Sequence, residues 1–340
     1  MKIMKKIISA ILVGLMVVGA TGCGNKTTET TPKAENKIED NTKKSSHYPV
    51  TIKTYNYAKE PVDITFEKSP EKVVAVYQNS IETLLALGLE DKIVAASGLD
   101  HEVKEEYKDA FSKVKYYEQV PTKEEVIGLQ PDFILSWYSL FGEKKLGDVG
   151  FWHERNINTY MAQNSGVINP NTLQNEYDDI LNMGKIFDVE DKANEIVNTM
   201  KSEIEKAKDF VKGKESVKAI ILEVQKDGVY RVYGEDSIGG DIATQVGADL
   251  VAKSSGKIGN EDLIKLNPDV IFTVYFGDAI DSDTALKSIM ENPALSSVSA
   301  VKSNRVNPIM LSEVYSSGIR TLDGIKTISR GLYPELYGNK

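Results

Sequence analysis

Cysteine occurs once, histidine three times and tryptophan twice in this chain of 340 residues. A single thiol excludes an internal disulfide. His47, His101 and His153 are scattered, so the chain lacks the His-rich ligand set that a bare zinc or manganese ion requires. No Gly-x-Gly-x-x-Gly follows a strand-like run. Ser237-Ile238-Gly239-Gly240 is the nearest glycine cluster, and without the spacing dinucleotide binding has no support. A P-loop and a Gly-x-Ser-x-Gly elbow are missing, and His153-Glu154-Arg155-Asn156-Ile157 lacks the second histidine of a zinc-protease pair. The acid pair Asp178-Asp179 reads as a solvated helix face rather than as catalytic carboxylates. A surface enzyme therefore survives only as a remote alternative. The formal charge of −9 argues against nucleic acid or anionic lipid as the main partner.

Beyond these absences, the first residues form an address. Lys2, Lys5 and Lys6 precede an apolar run over residues 7–18, too short for a comfortable membrane span. Small residues 19–22 then lead to Cys23. This resembles a bacterial lipoprotein signal, with Ala20 where such signals more often carry Leu. The resemblance implies a signal peptide over residues 1–22, a lipidated Cys23 and attachment to the outer face of a Gram-positive-type cell membrane. Removing three lysines takes the charge from −9 to −12. Residues 24–46 are Thr, Lys, Glu and Asn with almost no apolar side chains, a composition that cannot offset its ordering entropy. Residues 23–47 are thus expected to form a flexible tether with a reach on the order of 25 Å.

The body carries one phrase twice. Residues 124–135 read EEVIGLQPDFIL and residues 261–272 read EDLIKLNPDVIF, 137 positions apart and identical at six of twelve. Each reads as a short helix, a Pro-Asp turn and a buried strand. One copy per half predicts two lobes of similar design rather than a solenoid, and clefts between lobes are where ligands bind.

Strand-like runs at residues 51–57, 62–66, 73–77, 93–96, 133–136 and 159–161 alternate with helical segments at 80–87, 124–129 and 148–155. Ser80 is the expected N-cap and Gly88 the C-terminal glycine of the first helix. Residues 191–212 place Ala193, Ile196, Val197, Met200, Ile204, Ala207 and Val211 on one stripe without an interrupting Pro or Gly, which predicts one long helix. Strands then recur at 219–224, 229–232, 270–274 and 305–309, with helices at 240–246, 261–266 and 317–332. Alternation of this kind predicts an α/β fold with parallel sheets in both lobes. The expected layout is a lobe at 48–190, a connecting helix at 191–212 and a lobe at 213–340.

The order Ser-Pro-Glu-Lys-Val-Val-Ala-Val at 69–76, Ile-Glu-Thr-Leu-Leu-Ala-Leu-Gly at 81–88, the two repeated phrases and Asn292-Pro293 followed by residues 300–306 resembles substrate-binding proteins of ABC importers. The relevant cluster handles iron-siderophores, haem and cobalamin, and the resemblance covers about residues 62–338. It implies the class III periplasmic-binding-protein fold, with two Rossmann-like lobes joined by one stiff helix. It implies a monomeric receptor, not an enzyme and without a cofactor, that carries a ferric chelate to an ABC permease dimer with its ATPase subunits. Haem or cobalamin is the alternative ligand. It also implies that Glu124 and Glu261 dock onto permease arginines, one per lobe. Carboxylates suit the first turn of a helix and pair with arginine in bidentate geometry.

In doubly wound sheets, ligands lie beyond the carboxyl ends of the strands. That rule nominates Tyr77, Gln78, Trp137, Tyr138, Phe141, Asn164, Arg231, Tyr233, Tyr275, Phe276 and Tyr315. Aromatic residues at both copies of the repeated strand end suit a large, flat or ring-bearing ligand. Arg231 suits an anionic chelate. Trp152 is expected to pack against the sheet, and Arg320 is held with similar reserve.

Overall fold

A computed structural model describes residues 47–276 and 280–338. The leader, Cys23 and the tether up to residue 46 lie outside them. The described residues fall in one compact unit.

The first half opens with an antiparallel hairpin, β1 (Val50–Tyr55) and β2 (Pro61–Phe66), with Val50 opposite Phe66. Its alternation turns Ile52, Thr54, Ile64 and Phe66 inward. Then follow β3 (Val73–Val76), α1 (Gln78–Ala86), β4 (Ile93–Ser97), α2 (Lys108–Phe111), β5 (Tyr116–Tyr117), α3 (Lys123–Leu129), β6 (Phe133–Ser136), α4 (Val149–His153) and β7 (Asn158–Met161). The five strands from β3 to β7 form a wholly parallel sheet in the order β5-β4-β3-β6-β7. Every residue of β3 and β6 is buried, which is why both read as unbroken apolar runs.

Two antiparallel neighbours follow, α5 (Leu173–Phe187) and α6 (Glu190–Val211). The expected long helix is thus present, one residue earlier at each end. Its stripe of Ala193, Val197, Met200, Ile204 and Ala207 is buried. The second half contains β8 (Val217–Val224), β9 (Val229–Val232), α7 (Ile238–Gln245), β10 (Ala248–Leu250), β11 (Gly256–Gly259), α8 (Asn260–Leu266), β12 (Val270–Tyr275), α9 (Ser282–Met290), α10 (Ser299–Lys302), β13 (Val306–Met310), α11 (Leu311–Val314) and α12 (Thr321–Leu332). α6 packs on α5 and on α12.

The second sheet is mixed, not parallel. Its order is β11-β9-β8-β12-β13, with β10 also beside β8. β8 pairs parallel with β12 and β10, but antiparallel with β9, which pairs antiparallel with β11. The reason is the connection: Lys226–Gly228 is too short for a parallel crossover. Asp227 and Gly228, at φ 59° and 69°, instead make a tight hairpin turn.

The start of α1 also differs from expectation. Ser80 lies inside the helix, and Tyr77, at φ 77°, is the N-cap. Strand β3 ends at Val76, so the chain passes from strand to helix within one residue. The C-terminal end behaves as expected: Gly88 at φ 74° donates to Leu85 O, and Leu89 N donates to Leu84 O.

Candidate functional site

The strand-to-helix turn at Tyr77 aims one aromatic ring at the next strand end. Tyr77 and Trp137 stack with centroids 4.3 Å apart at 22°. Trp137 meets Tyr315 of the second half edge-on at 5.5 Å, and its indole N–H donates to Asn79 Oδ1 at 2.6 Å. The Arg231 guanidinium lies 5.0 Å from the Tyr233 ring and 5.9 Å from the Tyr315 ring. Glu223 completes the cluster. Its carboxylate faces Arg231 at 3.6 Å and accepts from the Tyr233 hydroxyl at 3.0 Å and Gln225 Nε2 at 2.8 Å. Burial, followed by the Glu223 charge, pushes the Tyr233 hydroxyl well above its ordinary range. The cluster therefore joins the ends of β3, β6 and β9 to the residue after α11, from both halves.

Other nominated residues lie elsewhere. Tyr138 stacks on Tyr57 of the hairpin region at 4.6 Å, beneath the Lys59 ammonium. Tyr275 approaches His101 across the halves at 5.9 Å. Phe276 stands beyond the stacked rings but lines an open groove of about 630 Å³ that includes Glu223 and Gln225 of the cluster, together with Val229, Ile280 and Thr284. Lys145 donates to the Tyr77 hydroxyl at 3.2 Å, a cation that no motif or spacing nominates.

Three further nominations turn inward, as the buried Tyr233 of the cluster also does. Phe141 is fully buried in the cluster formed by Val74, Ile134 and Trp152, because the short turn after β6 folds its apolar residue back under the sheet. Asn164 is fully buried as a clamp: its side-chain amide donates to Thr172 O and Glu176 Oε1, while its Oδ1 accepts from Thr172 N. Gln78 is buried too, its Oε1 accepting the N–H groups of Asp100 and His101. Trp152 packs in the core as expected, donating to Leu146 O. Glu223 was missed, although a lone acid within the run Ala-Ile-Ile-Leu-Glu-Val was a signal.

Beside the aromatic cluster the halves are locked by charge. Arg320 donates to both oxygens of the fully buried Glu82, at 2.6 and 2.7 Å, and to Glu102 O. Lys104 pairs with Asp323 at 2.8 Å. Glu176 accepts the N–H groups of Ser317 and Gly318. Next to it Asp179 is buried, not solvated, and accepts from Tyr160, Gln163 N and Gln163 Nε2. Burial and the Glu176 charge nevertheless lift its carboxyl to about 8.

The two repeated helices face outward. Glu124 and Glu261 are both exposed. The acid after each is occupied: Glu125 closes a capping box with Thr122, and Asp262 accepts Gly259 N.

A parallel and a mixed α/β sheet joined through a helix, with an aromatic cluster drawn from both, have the frame of a solute-binding protein. The profile of the periplasmic binding protein family matches residues 73–309, and the chain belongs to that family. It is 29% identical over 339 residues to the ABC transporter substrate-binding lipoprotein YvrC of Bacillus subtilis, covering 95% of this chain and 96% of that one. The petrobactin-binding protein YclQ of the same organism is 28% identical, covering 93% and 94%. A periplasmic binding protein from Veillonella parvula superposes with a TM-score of 0.80 at 35% identity, over 85% of this chain and 93% of that one. These relatives are binding proteins, not enzymes. No helix among the described residues is long and apolar enough to cross a membrane.

Proposed function

We propose that this protein is the membrane-anchored receptor of an ABC importer, which captures an iron chelate between its halves and delivers it to the permease. The aromatic cluster of Tyr77, Trp137 and Tyr315, drawn from both halves around Arg231, carries the reading. Relatives named for petrobactin binding and for iron uptake support the ligand class. Glu124 and Glu261 dock the loaded receptor onto basic residues of the permease dimer, and lipidated Cys23 holds it at the outer face of the membrane. One relative named as a lipoprotein supports the anchor.

The charge of the cluster narrows the chelate. Glu223 offsets Arg231, so Lys145 at the Tyr77 hydroxyl leaves the site a single net positive charge. Three hydroxamates balance one ferric ion, whereas three catecholates leave a trianion that a single net positive charge would compensate only in part. The favoured ligand is therefore a ferric hydroxamate. The stacked Tyr77–Trp137 pair supports a second reading, a corrinoid or haem lying flat on the rings. Calorimetric titration with a ferric trihydroxamate, a ferric tricatecholate, haem and cobalamin separates these. Saturable binding of the hydroxamate is expected, and preference for the tricatecholate contradicts the charge argument. Replacing Glu124 and Glu261 by Ala is expected to leave that binding intact and abolish uptake.

A further inference from the structure

The internal repeat permits a test of which identities the fold itself requires. Four of the six shared positions have internal work. Pro131 and Pro268 are buried. Asp132 accepts the N–H groups of Glu71 and Lys72, and Asp269 that of Lys218. Ile134 and Ile271 are fully buried in strands, and Leu129 and Leu266 pack partly onto the cores. Two identities remain, Glu124 with Glu261 and Ile127 with Ile264.

The isoleucines stand out on independent grounds. Among the described residues, the large hydrophobic side chains that stand exposed are Tyr57, Ile127 and Ile264, and the isoleucines are 42% and 37% exposed. Tyr57 is covered in part by its stack on Tyr138. The isoleucines join none of the hydrophobic clusters. Single exposed apolar residues are ordinary, but here the same residue is exposed at the same place in each half. A β-branched residue on an exposed helix face also brings the helix no benefit. Each isoleucine lies three residues after its glutamate, one turn along the same face.

We infer that Ile127 and Ile264 are the apolar anchors of a two-point docking surface, each seated in an apolar pocket beside the basic residue that meets Glu124 or Glu261. This rests on the receptor reading above. The occupant is the two-fold permease dimer. Two equivalent acid-plus-apolar faces fit a partner with two equivalent basic-plus-apolar faces. A second copy of this chain would set like charges against each other, and an anionic membrane surface would repel both glutamates. The isoleucines then supply a desolvated centre to each contact, while the carboxylates set orientation.

The test is uptake by cells in which the full chain is replaced by Ile127→Ser, Ile264→Ser or both, with radioiron-labelled ferric trihydroxamate and radiocobalt-labelled cobalamin as probes. Each single change is expected to lower uptake about tenfold, with ligand affinity and melting temperature of the purified chain unchanged. Normal uptake by the double variant overturns the proposal. So does a loss of ligand affinity, which assigns the isoleucines to the binding fold, or a dimer in sedimentation that Ile264→Ser dissolves. The Glu124→Ala, Glu261→Ala pair separates the two levels. If it fails while the isoleucine variants transport, docking stands and the anchors fall. If the unaltered chain takes up neither probe, and neither ferric tricatecholate nor haem, the receptor reading itself fails, and the anchors with it.

Discussion

Glu82 is fully buried, and its carboxylate is held there by the paired N–H groups of Arg320. Removing one partner strands a charge in the interior. Arg320→Ala is therefore expected to cost about 3–5 kcal/mol, while Glu82→Leu with Arg320→Met is expected to recover most of it. Urea unfolding of the three variants decides this. Asp179 makes a second prediction at this scale. Its folded carboxyl titrates at about 8, above its unfolded range, so the folded state binds the extra proton between roughly pH 4 and 8. The stability it contributes is complete below the unfolded value and is lost as pH rises through the folded one. Relative to Asp179→Asn, the unaltered protein is expected to lose stability between about pH 5 and pH 8 in the same assay. A parallel pair of profiles contradicts it. Neither residue was legible as such: Asp179 reads as half of a solvated acid pair, and Arg320 as a weak ligand candidate. What decides their roles is a partner more than 200 positions away for Arg320 and the end of strand β7, with Gln163 after it, for Asp179. Tyr77, Trp137 and Tyr315 were legible, because strand ends of a doubly wound sheet have only one place to point.

Among the elements, the turn Gly318–Arg320 bears most on the cleft. It packs on α1, receives Glu176 through the N–H groups of Ser317 and Gly318, and begins three residues after Tyr315. Gly318 sits at φ 53°, and a Cβ there would meet Thr83 Oγ1 at 2.7 Å and Asn79 Cβ at 3.0 Å. Gly318→Ala is expected to destabilise by about 1–3 kcal/mol through the left-handed backbone and the clash. It is also expected to weaken ligand binding, because Asn79 positions Trp137. Denaturation and calorimetry on the same variant check both effects, and a loss of stability without loss of affinity would separate the turn from the site. The sequence showed α6 plainly through its unbroken stripe. The antiparallel β9 and β11 were hidden, since alternating strands and helices look alike whichever way an edge strand runs.

At the scale of the whole molecule, the halves share α6, the Glu82–Arg320 and Lys104–Asp323 pairs, and the seated 318–320 turn. So much fixed contact leaves small room for hinge motion. The radius of gyration in solution is expected to change by less than about 1 Å on ligand addition, and a larger contraction argues for a true hinge. The central claim is that ligand enters the cleft against Trp137. The chain has two tryptophans, and Trp152 is buried in the core, so their fluorescence can be separated. Titrating the Trp152→Phe protein with ferric trihydroxamate and with cobalamin is expected to give saturable quenching with one of them, and the Trp137→Phe protein to give none with either. Quenching that survives in Trp137→Phe, or no saturable response from Trp152→Phe, contradicts the account.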